Sequence, residues 1–554
     1  MILVGKPSKR LRGDTWGAVW WYGLLVSRME AAGPTFIKLS QWAASRADLF
    51  PSLLCERLGS LHSHGKPHSF AHTRAIVEAA FQLPFENVFQ SFDPIPIGSG
   101  AIAQVYRATL NQDLIPPAYL GPRRISTSPA GSLAPVILKS PVPSVPTASV
   151  AIKVLHPNVS KIIARDLRIM AFFAKIINCL PGMQWISLPE EVAVFGAMMN
   201  QQLDLRHEAD NLITFEDNFA PRKVPVSFPR PLKPWSTKEL LVEEYMNALP
   251  LESFLRNGGG PFDDQVATNM LLLDNFVHSD LHPGNIMIKF SKPPTTRMLL
   301  ANLYNCLFHS SKQESDGNLG QTNYALHADY SDSDAIVERL RGLQGRPTEW
   351  HHELEYLHDQ GYVAEIVFID AGLVTTLDAN NRQNFLDLFR AVAEFDGYKT
   401  GQLMVARSRL PHLALDAETF ALKMQHLVLR VKRKTFSLGQ IKISDLLTEV
   451  LKNVRVHHVK MEGDFINTVI SILLLEGIGR QLDPDLDLFA SALPILRKLG
   501  GQMATQESVG MNLPSTNLGA LLKVWLWVEA RSLISSAIVN VDDLIKYDLL
   551  TPSI

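Results

Sequence analysis

Cysteine is nearly absent. The chain has three cysteines in 554 residues, Cys55, Cys179 and Cys306, far apart in sequence. That excludes a disulfide framework and a paired-thiol metal motif, and three reduced thiols are expected. Net charge is missing too. Fifty-three basic residues stand against 55 acidic ones, a balance of −2, so there is no electrostatic case for nucleic acid as a partner. No apolar run reaches the length of a membrane-crossing helix. Trp16 to Val26 is apolar and aromatic but too short, and Leu518 to Val539 carries Lys523, Glu529 and Arg531. Those charges suit an interfacial or interlobe helix. Hydrophobic residues make up 46% and charged ones 19%, a globular balance that excludes wholesale disorder. A chain this long is expected to form about three or four units, or two lobes with additions.

Met1 to Gly13 holds four basic residues and no acid. This fits an organelle-targeting leader, a basic tail ahead of a helix, or a start further upstream. Gly33 to Phe50 reads as a helix after a Gly-Pro entry, with Lys38, Gln41 and Ser45 on one face. His62, His64, His68 and His72 follow within a short span, but no acid or cysteine accompanies them and Gly65-Lys66-Pro67 interrupts them. A metal site is therefore disfavoured. Arg74 to Phe89 is another helical stretch.

From Phe92 the pattern turns to period two. Ile95 to Ala108 reads as strand, turn, strand, and Gly98, Ser99, Gly100 and Ala101 form the turn. Glycines there let backbone N–H groups approach an anion closely. The next strand, Val150 to Leu155, carries Lys153 inside an apolar run, so the lysine should face a cleft and have an anionic partner. Asn111 to Ser149 between them is rich in Pro, Ser and Gly and reads as a disordered insertion. Pro189 to Phe219 reads as one long helix with Asp204 and Glu208 at i, i+4; one of them should pair with Lys153. Glu239 to Met246 reads as a strand running into a hinge, with Glu244 and Met246 at the edge of the proposed nucleotide pocket.

The stretch around Phe276 to Ile288 organises the rest. An amphipathic run, Asp264 to Phe276, leads into His278-Ser279-Asp280-Leu281-His282-Pro283-Gly284-Asn285 and the apolar strand Ile286 to Phe290. Asp-x-x-x-x-Asn is the spacing of a kinase-type catalytic loop, in which the Asp serves an attacking hydroxyl and the Asn a metal ion on phosphates. Alone it is also the spacing of an Asx-rich turn. Ser291 to Gly361 shows no periodicity and reads as a second disordered insertion. Strand Glu365 to Ile369 then ends in Asp370-Ala371-Gly372, where kinase folds keep a metal-binding aspartate. A helix, Asn380 to Phe395, starts soon after, with no room for a long activation segment, which argues against a protein substrate in trans. Gly463 to Arg480 is strongly apolar in its middle.

Lys153, Glu208, Asp280, Asn285 and Asp370 occur in the order of a protein-kinase-like fold. Two families with this core fit the loop: small-molecule phosphotransferases of the aminoglycoside type, and the UbiB family of atypical kinases (aarF-domain-containing kinases). The chain resembles the second. Lys38-Leu39-Ser40-Gln41, Gln104 to Ala108 (QVYRA), Val150 to Pro157 (VAIKVLHP) and Leu473 to Asp487 (LLLEGIGRQLDPDLD) carry the resemblance, and the FIKLSQW helix is most like a mitochondrial paralogue. The resemblance implies an α+β, protein-kinase-like two-lobed fold with family-specific N-terminal helices and a helical C-terminal extension. It implies boundaries of 1–91 for the N-terminal helices, 92–247 for the N-lobe (insertion 111–149), 248–410 for the C-lobe (insertion 291–361) and 411–554 for the helical region.

It also implies ATP and Mg2+ as ligands, a mitochondrial location with inner-membrane association, peripheral membrane contact, and a role in coenzyme Q or lipid homeostasis among lipid- or quinone-pathway proteins. Carried over by position, Lys153 contacts the phosphates and pairs with Glu208, Asp280 is the catalytic aspartate, and Asn285 with Asp370 binds magnesium. The helix bearing Lys38 and Gln41 covers the cleft, with Asp204 as counter-charge to Lys38. The chain departs from the family at Ser40 (glycine in the family), at Gln202 (glutamate in the family), and at Gly98 to Ala101 (an alanine-rich loop in the family). An ATP-dependent phosphotransferase or ATPase is thus expected, against a nucleotide-binding scaffold without turnover and a small-molecule phosphotransferase.

Overall fold

The structure, a computed structural model, describes residues 16–46, 50–59, 67–116, 149–180, 187–219, 225–263, 266, 277–278, 284–292, 332–372, 374–375, 396–436, 443–461 and 475–483. Its first helices are α1 (Trp16–Ala32), α2 (Pro34–Ser45) and α3 (Ser52–Gly59). Gly33 separates the first two at φ +108°, and Pro34 opens α2, the position where a missing N–H costs nothing. Ala18, Tyr22, Ala43, Leu54 and Leu58 close a small core among the three. Next come α4 (Phe70–Phe81) and the short α5 (Phe85–Val88). The single helix expected over 74–89 is broken because Gln82 caps α4 in the left-handed region and Pro84 follows.

Five strands form the N-lobe sheet: β1 (Phe89–Phe92), β2 (Gly98–Ser99), β3 (Ala103–Leu110), β4 (Ser149–Leu155) and, later in the chain, a strand over Leu240–Glu244. All pairings are antiparallel, so directly paired residues share a face. Tyr106, Ile152 and Val242 share one face, and pack with Val77 and Phe81 of α4. Val105, Lys153 and Leu241 share the other, with Arg107, Ala151 and Glu243 in the next row.

That second face is covered by α6 (Val159–Asn178), α7 (Leu188–Gln202) and α8 (Leu205–Phe219). Val159, Ile163, Phe195, Met199, Leu203 and Leu205 join Ile37 of α2 in its core. The one helix expected over 189–219 is therefore two. The break falls at Leu203 and Asp204, where Leu205 N–H bonds the Lys238 carbonyl at 3.1 Å. Asp204 and Glu208 do not share a helical face.

The chain then runs through β5 (Val226–Ser227), β6 (Leu240–Glu244, the fifth N-lobe strand), β7 (Leu249–Pro250), α9 (Leu251–Asn257), β8 (Val277–His278) and β9 (Ile286–Ser291). There follow α10 (Ser333–Gly342), α11 (Pro347–Asp359), β10 (Val363–Phe368) and β11 (Val374–Thr375). The C-lobe sheet has the order β5-β10-β9-β7. The reading of 291–361 as a disordered insertion is corrected over its second half. Ile336, Val337 and Leu340 of α10 and Trp350, Leu354 and Leu357 of α11 lie fully buried in the C-lobe core beside Phe254, Phe290 and Phe368. The rest of that stretch, 293–331, lies outside the described residues.

The helical region contains α12 (Gly397–Ala406), α13 (Ala417–Phe436) and α14 (Ile443–Val456). Although α12 lies before the boundary expected at 410, Met404 packs with Phe420, Met424 and Leu427 of α13. Gly397 and Gly401 allow the approach. A Cβ on either would stand within 2.6 Å of α13 backbone. Helical residues 475–482 return to the C-lobe core through Leu475, Ile478 and Leu482. The helices expected over 264–276, 380–395 and 518–539, the leader at 1–13 and most of the first insertion (117–148) lie outside the described residues.

Candidate functional site between the lobes

Lys153 leaves β4 on the face covered by α8, and α8 presents Glu208 to it. The ammonium lies 2.7 and 2.9 Å from the two carboxylate oxygens of Glu208 and 3.8 Å from Asp370 Oδ2. Of the two acids expected as its partner, Glu208 is the one. Burial works against the charge on Lys153, but Asp370, Glu208 and Glu243 outweigh it and raise its pKa. Burial also raises Glu208, against the pull of the ammonium.

Asp370 follows β10 and Asn285 precedes β9. Phe368 pairs with Ile286, and Ile369 N–H bonds the Asn285 carbonyl at 3.2 Å, so the two residues leave the same end of the C-lobe sheet side by side. The Gly372 N–H holds Asp370 Oδ1 at 2.8 Å, and Asn211 Nδ2 of α8 holds the Ala371 carbonyl at 2.8 Å. Helix α8 thus ties the Asp-Ala-Gly turn to Lys153. His278 pairs with Val374. Asp280, expected as the catalytic aspartate, lies outside the described residues, as do most residues after Thr375 where an activation segment would run.

The glycine turn closes between β2 and β3, with Gly100 N–H on the Ala103 carbonyl at 2.8 Å. Gly98 pairs with Val105 on the Lys153 face, and a Cβ there would meet nothing within 4 Å. Ser99 pairs with Gln104 on the opposite face, and Ala101 is buried in the core that α2 and α6 share. At the other edge of the cleft, Glu244 turns to the far face opposite Val150. Its backbone N–H bonds the Arg230 carbonyl at 2.8 Å. Met246 follows in the extended strap joining the lobes, and Arg107 stands over the Tyr245 ring at 4.6 Å.

Asp204 does not show the expected pairing. Both of its oxygens are taken by Arg206, at 2.9 and 2.6 Å, and this guanidinium holds its carboxyl down at about 2. Lys38 and Gln41 lie half-buried on α2, whose neighbours Ile37 and Thr35 anchor it to α6 and α7: Ile37 in the shared core and Thr35 through a 2.7 Å bond to Asp166.

Sequence reasoning missed three features. The first is Glu243. It is 5% exposed, one row from Lys153 on the cleft face, and its Oε2 has no hydrogen-bond partner. Burial and the neighbouring Glu208 push its pKa well up. Its signal was an acid directly after the apolar run Leu240 to Val242. The second is a histidine chain. His68 Nδ1 lies 2.7 Å from His156 Nδ1, and His156 Nε2 lies 3.0 Å from the Gly100 carbonyl. His68, one of the four clustered histidines, thus braces the glycine turn through His156, and no metal-ligand group occurs among the described residues. Burial and the two neighbouring histidines lower His68 to about 4. The third is the role of the QVYRA stretch: Gln104 accepts from His68 N–H at 3.0 Å, and Thr73 donates to the Tyr106 hydroxyl at 3.0 Å.

The arrangement suits a nucleoside triphosphate with a divalent cation. Gly98 leaves bare backbone, Lys153 offers a fixed cation, and Asp370 with Asn285 offers oxygen ligands of the kind hard cations take. The unpartnered oxygen of Glu243 leaves a buried polar group for a ligand to meet.

Comparison with known proteins shows the family. A family described as "ABC1 atypical kinase-like domain" matches residues 60–114 and 130–303, and one described as "UbiB helical domain" matches 433–487. An ABC1 family protein of Schizosaccharomyces pombe, named as mitochondrial, is 41% identical over 96% of this chain and 72% of its own length. Another, from Saccharomyces cerevisiae and also named as mitochondrial, is 40% identical over 98% and 77%. A "Probable serine/threonine-protein kinase" of Dictyostelium discoideum is 30% identical over 86% and 65%.

Proposed function

The chain belongs to the ABC1 family of UbiB-type atypical kinases, and on that premise we propose that it is a Mg-ATP-dependent phosphotransferase or ATPase of the mitochondrion. The observation that carries the proposal is one lysine bound across the interlobe cleft by Glu208 of one lobe and Asp370 of the other. Lys153 would hold the phosphates, and Glu208 would keep its ammonium charged and aimed. Backbone N–H groups of Gly98 to Ala101 would border the phosphates. The main chain from Glu244 to Met246 would border the base. Asn285 and Asp370 would hold the magnesium, which supplies charge neutralisation to the phosphates. Asp280 is assigned to the attacking hydroxyl by its place in the loop alone.

The mitochondrial names of relatives at 40% and 41% identity support the location. The family resemblance supports a substrate in coenzyme Q or lipid metabolism. Helix α2, with Lys38 and Gln41, is assigned to restricting access to the cleft. The test is a thermal-shift titration with ATP, with and without Mg2+, together with phosphate release. Wild type is expected to show a Mg-dependent shift. Asp370→Asn is expected to lose most of the Mg-dependent part, a drop of at least tenfold in apparent affinity, while its melting temperature without nucleotide stays near wild type. Equal Mg-ATP shifts in both proteins would remove the basis for the assignment.

A further inference from the structure

Helix α6 has two apolar faces. One is inward: Val159, Ile163 and Ala174 are buried, together with Asp166. The other points to solvent. Ile169 is 46% exposed, Phe172 61%, Phe173 55% and Ile176 50%, and Leu180, just past the helix end, 54%. At the angular step of an α-helix these five positions fall within a sector of about 100°. The two phenylalanine rings stand edge to face, 5.5 Å apart, and neither is in a core.

A row of cations flanks this stripe. Lys161, Arg168 and Lys175 are all exposed. They are spaced by seven, which puts them in one line along the helix. Arg165, one turn before Ile169, falls within the sector of the stripe and is also exposed. The acid of this helix is Asp166, which is buried and bound by Thr35 and Arg165. The exposed surface of α6 is therefore apolar and cationic, with no exposed carboxylate of its own.

We propose that this outward face of α6 docks on a lipid membrane of anionic surface, with the Phe172 and Phe173 rings in the headgroup layer and the Lys161–Arg168–Lys175 row on lipid phosphates. Three features favour lipid over protein. The face is the convex side of a helix, so it offers no groove for a partner segment. Its charges have one sign, whereas paired helices carry both signs beside an apolar seam. Aromatic and aliphatic side chains beside lysine and arginine are the composition of helices that lie in the interface. No described helix is long and apolar enough to cross a membrane, so contact through these residues would be peripheral. The proposal stands apart from the nucleotide reading of the cleft.

The experiment is flotation of the full chain with phosphatidylcholine vesicles, with and without phosphatidylglycerol. Wild type should float with the anionic vesicles, at least tenfold more than with neutral ones, and salt should weaken the binding. Phe172→Ser/Phe173→Ser should lose binding to both. Lys161→Glu/Arg168→Glu/Lys175→Glu should lose the preference for anionic lipid. Both variants sit on exposed positions and should keep the wild-type melting temperature and the wild-type Mg-ATP shift, which separates lost docking from lost folding. Flotation unchanged in both variants would overturn the proposal. So would a wild type that ignores vesicles but forms dimers that the phenylalanine variant dissolves, since the face would then join two copies of the chain.

Discussion

Glu243 is the residue least at ease in this molecule. It is buried beside Glu208, within reach of Asp370, with one oxygen unpartnered. Its pKa is raised well above the ordinary 4.5, so the folded chain holds its proton where the unfolded chain has released it. Stability is therefore unaffected below the unfolded value and falls as pH rises from about 4.5 towards the folded value. Glu243→Gln cannot ionise and escapes that loss. The variant is expected to melt about 2–4 °C higher than wild type at pH 8, with the gap closing as pH falls to about 4.5. A gap that does not change with pH would mean that ionisation of Glu243 plays no part. Lys153 is different in kind. Its charge is matched by Glu208 at 2.7 Å, and both stay where folding puts them.

Among elements, α10 and α11 behave unlike their composition. The acidic, serine-bearing run Asp329 to Asp334 precedes them, yet Asp332 accepts from the Tyr362 hydroxyl at 3.1 Å and starts α10. Ile336, Val337 and Leu340 are spaced as one helical face, and so are Trp350, Leu354 and Leu357. That signal was legible, and the polar residues around it masked it. The Trp350 indole N–H also bonds the Gly258 carbonyl at 2.7 Å. Replacing 333–359 by a short polar linker is expected to yield insoluble chain, because the buried face of the C-lobe sheet would be stripped. Trp350→Ala alone should cost about 3–5 kcal/mol. Soluble expression and limited proteolysis read out both.

At the scale of the whole molecule, a buried charge cluster joins segments far apart in sequence. Arg46, at the end of α2, lies 2.5 Å from Glu191 of α7, and Lys460 of the helical region lies 3.2 Å from the same acid. Arg46 and Lys460 are 2% and 1% exposed in their side chains. Nearby, Arg455 donates to the Phe50 carbonyl at 2.5 Å. The N-terminal helices and the helical region are thereby joined through Glu191 of α7 and through Arg455. Glu191→Gln should destabilise by about 3 kcal/mol, since it removes the acid that two buried cations share. Glu191→Gln/Arg46→Met should recover part of that loss, since Lys460 keeps Glu190 at 3.4 Å. Melting curves with a double-mutant comparison measure it. Additive costs would mean that the two side chains do not act as a pair.

The sequence by itself determined what short stretches can encode. Lys153 inside an apolar strand, the glycine turn before it, and Asp370 at the end of a strand are each set by a few adjacent residues, because periodicity and turn chemistry are local. The order of Lys153, Glu208, Asn285 and Asp370 pointed to one cleft, and the structure brings these four to it. Tertiary structure decided the partners. Asp204 went to Arg206 once the helix broke between α7 and α8. His68, just before α4, met His156, which braces Gly100. Lys460 reached Glu191 from 269 residues away in sequence. Which charge meets which, and which acid is left buried without a partner, depends on burial, and burial is a property of the packed chain rather than of any segment in it.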